Sequence, residues 1–258
     1  MKKLYLIAAM ALATMTASAQ QKLYLSTYSG TNVEKYDGKD CNVVVNRYVF
    51  NGWNTIALPL QLTTDELNET FGPDCRLERL IGVENDGTDI VLYFQDCKAE
   101  GMKANTPYIL YYTGNNGTKK IEKEAVITNE PATLSYQTAL NETVTMTGVQ
   151  LQTKGIGFYG IPAKDNAEVN FRKIDEAMNG FLATRCYIQL NSATATSLKA
   201  RHLAAGETTS IKSVITQGET ADVYDLNGKR VATRLSADGI NSLKQGIYVV
   251  KGQKIIVK

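Results

Sequence analysis

The chain has 258 residues, with 28 lysines and arginines against 26 aspartates and glutamates and a single histidine. So even a balance gives no net basic face for a phosphate backbone, which argues against nucleic acid as a partner. One histidine, His202, excludes any zinc site built on two or more imidazoles.

In chain order, Lys2 and Lys3 precede an apolar stretch from Leu4 to Ala13 and then Ala17-Ser18-Ala19, the three-part layout of a secretory signal. Residues 1–19 therefore read as a signal peptide cut between Ala19 and Gln20, and the expected location is secreted or on the outer-membrane surface. The apolar run is too short for an anchor, which needs about 20 residues, and no other segment qualifies as a transmembrane span. The first cysteine, Cys41, stands too far from the cut for lipidation. Without Lys2 and Lys3 the chain holds 26 basic and 26 acidic residues, but unevenly: residues 221–258 carry seven and three, residues 20–220 carry 19 and 23. A basic tail on a mildly acidic body suggests two units.

Residues 20–40 read as an N-terminal extension. From Cys41 the pattern is short runs rich in Val, Ile, Tyr, Phe and Thr between turn residues, as in an all-β domain: 43–50, 53–60, 90–94, 108–112, 143–151 and 181–190. Asp86-Gly87 and Asn116-Gly117 supply hairpin turns. One short helix is expected after Thr63, with Glu66 completing a capping box, Leu67 and Phe71 on one face and Gly72-Pro73 as the stop. A further helical turn is expected at 174–178. The expected fold is thus all-β: a β-sandwich over 41–200 with one short helix, a linker over 201–220 containing a strand at 211–215, and a small β domain over 221–258. In that last unit Asn227-Gly228 and Lys251-Gly252 each turn a hairpin.

Four cysteines in an exported chain make disulfides plausible, and four allow three pairings. Cys75 with Cys97 brackets one hairpin, a closure worth roughly 3 kcal/mol in the chain-entropy picture, and Cys41 with Cys186 ties an early strand to a late one. Four unpaired buried thiols are the alternative. Catalytic apparatus is not visible: His202 falls where the sandwich gives way to the linker, a poor place to hold a general base. A hydrolase using two carboxylates could draw on Asp65, Glu66, Glu84, Asp86, Asp89 or Asp96, each of which also suits a helix start or a hairpin end. The run at 84–87 lacks the ligands of a calcium loop at both ends, so no metal and no cofactor is expected. Trp53 reads as a buried indole, whereas Tyr108, Tyr111 and Tyr112 could form a ligand platform near a hairpin tip.

Two stretches carry resemblances. Val-Tyr-Asp-Leu-Asn-Gly-Lys-Arg-Val and Lys-Gln-Gly-Ile-Tyr-Val-Val-Lys-Gly-Gln-Lys, closed by Ile-Ile-Val-Lys, resemble the C-terminal sorting domain of Bacteroidetes type IX secretion substrates across residues 222–258. Asn227 and Gly228 match its turn, Gly246 and Tyr248 its Gly-x-Tyr signature, and Lys258 its basic end. The family's opening Pro-Asn-Pro strand is replaced by Ile-Lys-Ser-Val-Ile at 211–215. The resemblance implies a small immunoglobulin-like unit and the secretion machinery as a partner. The segment from Phe50 to Leu60, with Phe71-Gly72 and Ala104 to Leu110, is similar to an adhesin-like β module of Bacteroidetes surface proteins, which implies a fold and no binding residue. The expectation is a non-catalytic binding or structural protein whose target is a surface glycan or a protein. A secreted carboxylate hydrolase and a fimbria-like envelope subunit are the alternatives.

Overall fold

A computed structural model describes residues 21–26, 33–85, 89–128, 130, 133–138, 141–150, 157–163, 166–174, 181–191, 198–205, 219–244 and 246–257. The signal segment with Ala19 and Gln20, the Asp86-Gly87 turn, all but the first residue of the 174–178 turn, the 211–215 strand and Lys258 lie outside them.

The strands in chain order are β1 (Gln21–Ser26), β2 (Asp40–Val49), β3 (Gly52–Ile56), β4 (Arg76–Asn85), β5 (Ile90–Asp96), β6 (Tyr108–Tyr112), β7 (Gly117–Val126), β8 (Thr133–Gln137) and β9 (Thr143–Gly148). There follow β10 (Tyr159–Gly160), β11 (Asn170–Lys173), β12 (Cys186–Leu190), β13 (Leu198–Leu203), β14 (Ala221–Tyr224), β15 (Arg230–Leu235), β16 (Gly246–Val250) and β17 (Gln253–Val257). Two short α-helices, α1 (Thr64–Phe71) and α2 (Ala237–Asn241), and two 3-10 turns at Val33–Tyr36 and Lys98–Glu100 are the helical elements among the described residues. The protein is all-β. Among the described residues no helix is long and apolar enough to cross a membrane.

A three-stranded sheet runs β1-β2-β7, and a ten-stranded sheet runs β3-β6-β4-β5-β13-β11-β10-β12-β9-β8. The large sheet folds over on itself, as contacts between its distant strands show. Tyr136 Oη on β8 donates to the Leu80 carbonyl on β4 (3.1 Å), and the Cys186 N–H on β12 donates to Thr55 Oγ1 on β3 (3.0 Å). Between the two halves lies a core of Leu80, Leu92, Phe94, Ile109, Val144, Met146, Phe171 and Ile188. A second core separates the outer face of β3, β6 and β4 from the small sheet and includes Leu23, Leu25, Val43, Val45, Ile56, Leu77, Tyr108 and Leu110. Period two sorts side chains between them: on β6, Tyr108, Leu110 and Tyr112 enter one core while Ile109 and Tyr111 face the other.

The boundaries differ from those expected. Residues 20–40 are not a mere extension, because β1 pairs in parallel with β2 from Gln21↔Cys41 to Ser26↔Asn46. Burying Leu23 and Leu25 there is worth roughly 2 kcal/mol each. At the other end, β13 pairs in parallel with β5 through Leu203, so the sandwich runs past residue 200. Asn116-Gly117 does not turn a hairpin either: β6 pairs with β3 and β4, whereas β7 pairs with β2, so the chain changes sheets there.

The helix is as expected. Thr63 caps α1, its side chain accepting the Glu66 N–H while Glu66 Oε2 accepts the Thr63 N–H at 2.7 Å. Leu67 and Phe71 are buried, and Glu66 is also held by Lys123 of β7 at 2.7 Å. Replacing Thr63 with alanine should cost about 1 kcal/mol, read as a lower urea midpoint with unchanged slope.

The tail forms a four-stranded sheet, β15-β14-β16-β17, whose core is Ala221, Val223, Ile240, Val250 and Ile255. Among the described residues it is one sheet closed on one face by α2, where the resemblance implied a two-sheet unit. Both expected hairpins form, with Gly228 and Gly252 at positive φ in their turns.

Candidate functional site

On β4, Leu77 enters the core beneath the small sheet, which puts Arg76, Glu78 and Leu80 on the opposite face. The pairing places Arg76 opposite Tyr111, Tyr111 opposite Trp53, Glu78 opposite Asp96, and Phe94 opposite His202. Strands far apart in sequence thereby bring Trp53, Arg76, Glu78, Tyr111 and His202 together.

Glu78 is at the centre and fully buried. His202 Nδ1–H donates to its Oε2 at 2.5 Å, and the Arg76 guanidinium engages its Oε1. The side chains of Arg76 and His202 are 45% and 30% exposed, so the carboxylate is reached from solvent only through its partners. The His202 ring stacks on Trp53 (centroids 4.6 Å apart, 16° between planes), Arg76 lies over the same indole at 5.2 Å, and Tyr111 leans against it at 5.1 Å. Trp53 is pinned in turn by Asn166, which accepts the Trp53 N–H at 2.7 Å and donates Nδ2 to the Trp53 carbonyl at 3.0 Å.

Burying a carboxylate costs several kcal/mol, offset here by charge-assisted bonds to both oxygens. The His202–Glu78 contact is also the base-and-orienter half of a hydrolytic arrangement. It overturns the expectation that His202 sits in a linker: the imidazole stands on β13, held by a carboxylate and an aromatic ring. Neither Arg76 nor Glu78 stands out in the sequence, because Arg76-Leu77-Glu78-Arg79-Leu80 puts charge on both faces of a strand.

Trp53 is buried, as expected, and only 4% exposed. The tyrosine platform is corrected. Tyr108 and Tyr112 are buried at 0% and 4% exposure in one core, while Tyr111 points the other way against Trp53, since consecutive residues of a strand point to opposite faces. The carboxylates singled out by sequence are dispersed. Glu66 serves the helix cap and Lys123, Glu84 accepts from Tyr93 Oη at 2.5 Å, Asp89 pairs with Lys199, and Asp96 accepts the Lys98 N–H at 2.9 Å. Asp65 lies in the first turn of α1, and Asp86 lies outside the described residues. Burial opposes ionisation of Glu66, but Lys123 and the Thr63 N–H outweigh it and hold its carboxyl below the usual range. Among the described residues no group of histidine, cysteine and carboxylate side chains could hold a metal ion.

All four cysteines are free and buried, so neither expected pair is formed. Cys41 and Cys186 belong to different cores, which gives that pairing no route. Cys75 Sγ faces the Leu67 carbonyl at 3.9 Å and Cys97 Sγ the Leu77 carbonyl at 3.4 Å. Burial pushes the Cys41 and Cys75 thiols up and carries those of Cys97 and Cys186 up to about 12. As pH rises above the ordinary thiol value of 9.0, the unfolded chain releases these protons first, so stability falls until about 12. The slope approaches about 1.4 kcal/mol per pH unit for each of Cys97 and Cys186. Native protein at about pH 8 should resist iodoacetamide and take up four equivalents after unfolding. Rapid labelling of Cys97 or Cys186 in the folded state would contradict this burial.

No family model, curated protein or solved structure matches this chain.

Proposed function

We propose that this is an exported, non-catalytic binding or structural protein of the cell surface, adhesin-like in kind and delivered by its C-terminal β unit. The observation that carries the reading is the tail's independence as a folded unit. Among the described residues β14 to β17 pair only with one another and enclose their own core. Asn227-Gly228 occupies the β14–β15 turn, and Tyr248 packs on that core with its Oη donating to the Lys244 carbonyl at 2.8 Å. A sorting signal has to be read and released without unfolding its passenger, and a tail with its own sheet and core meets that requirement. The passenger is a multilayer β body, a rigid scaffold on which loops display contacts to a surface glycan or a protein.

The test is the intact mass and location of the protein from fractionated native cells and medium. The expected product lacks residues 1–19 and the terminal hairpins and is found at the surface or in the medium. A periplasmic product that retains Lys258 would sink the sorting reading.

A further inference from the structure

We infer that the solvent-facing rim of the Trp53–Glu78–His202 cluster is a glycan-binding site, and that it takes an uncharged sugar ring through neighbouring hydroxyls. This deepens the surface-binding reading above and rests on it for the source of the ligand.

Glu78 uses one edge of each of its partners and leaves another edge open. Its Oε2 takes the His202 Nδ1–H, because an ionised carboxylate can only accept, and Nε2 of the neutral ring is thereby left as an acceptor. Its Oε1 engages Arg76 through Nη2 alone. Among the described residues, His202 Nε2, Arg76 Nη1 and Nε, and Tyr111 Oη have no hydrogen-bond partner. Arg76 and His202 reach solvent and Tyr111 is half-buried, and each of the three is centred within 5.2 Å of the Trp53 indole. A guanidinium and a phenol that donate, an imidazole that accepts and an aromatic ring beside them match a sugar, whose adjacent hydroxyls both give and take hydrogen bonds. Glu78 holds both of its partners and Asn166 holds Trp53 before any ligand arrives, so docking costs little further side-chain entropy.

Charge selects within that class. Arg76 is matched by Glu78, and Asp96, opposite Glu78 on β5, adds a second carboxylate whose Oδ1 accepts a backbone N–H. With His202 neutral the cluster has no surplus positive charge. A uronic acid, a sulfated sugar or an acidic peptide would meet two carboxylates and one guanidinium, which disfavours it against a neutral ring.

Parent and variant proteins purified from native cells are titrated with the methyl glycosides of glucose, galactose and mannose and with the matching uronates. Fluorescence of Trp53, the only tryptophan in the chain, reports binding. At least one neutral glycoside is expected to shift the emission saturably, and its uronate to bind at least about tenfold more weakly. Arg76→Lys keeps the charge beside Glu78 but loses the planar fork, and Tyr111→Phe keeps the ring but loses Oη. Each is expected to weaken binding about tenfold, ~1.4 kcal/mol, with circular dichroism unchanged. Equal or tighter binding of the uronate, full binding by both variants, or no binding of any neutral glycoside overturns the inference. In the last case, recovery of the protein at the surface or in the medium leaves the surface reading standing with a protein as its target. A periplasmic protein that binds a glycoside as expected keeps the site and loses that reading.

Discussion

With Arg76 and His202 both replaced by alanine, the protein is expected to lose about 3–5 kcal/mol of stability at neutral pH, because Glu78 is left as an uncompensated buried charge. Its two oxygens are held by those two side chains, and none of its own surface reaches solvent. Each single alanine variant leaves one partner in place, so the two single losses should not sum to the double. Adding Glu78→Gln to the double variant should restore much of the loss, since a neutral amide is far cheaper to bury than a carboxylate. Urea unfolding followed by circular dichroism reads the parent and all four variants. A double variant within about 0.5 kcal/mol of the parent, the range of ordinary surface substitutions, would show that Glu78 draws its compensation from elsewhere.

This cluster also marks where sequence legibility ended. The strand at Tyr108–Tyr112, the capped helix at Thr64–Phe71 and both tail hairpins were readable because their signals are local: a β-rich run, a capping box, two Gly-containing turns. The strand β7 was missed because Gly-Thr-Lys-Lys-Ile-Glu-Lys-Glu-Ala-Val looks like solvated coil, yet Ile121 is buried and every residue pairs with β2. Long-range pairings have no local trace. Nothing near His202 says that it will lie in parallel beside β5, and nothing near Glu78 says that a histidine 124 residues away will orient it. The tyrosines failed differently: their spacing was visible, but alternation assigned them to two cores. Identifying the aromatic run was easier than identifying what covered each of its faces.

Gly52→Ala is expected to cost about 4 kcal/mol, combining about 1–3 for strained backbone with about 1–3 for overpacking. Gly52 sits at φ +96°, where a side chain is strained whatever the space. The space is also taken: an added Cβ would stand 2.5 Å from the Asn166 carbonyl oxygen. That oxygen accepts the Trp53 N–H, so it cannot retreat without releasing the residue on which His202 stacks. The substitution should therefore lower the melting temperature by about 10 °C, given ~2–4 °C per kcal/mol for a chain of this size. It should also shift the fluorescence of Trp53, the only tryptophan in the chain, while the protein is still folded. Asn166→Ala separates the two causes, because it keeps the backbone carbonyl and removes only the bond from Nδ2 to the Trp53 carbonyl. It should cost about 1 kcal/mol, the worth of one hydrogen bond. Equal losses for the two variants would mean that the side-chain clamp, and not the close backbone approach at Gly52, is what seats the indole.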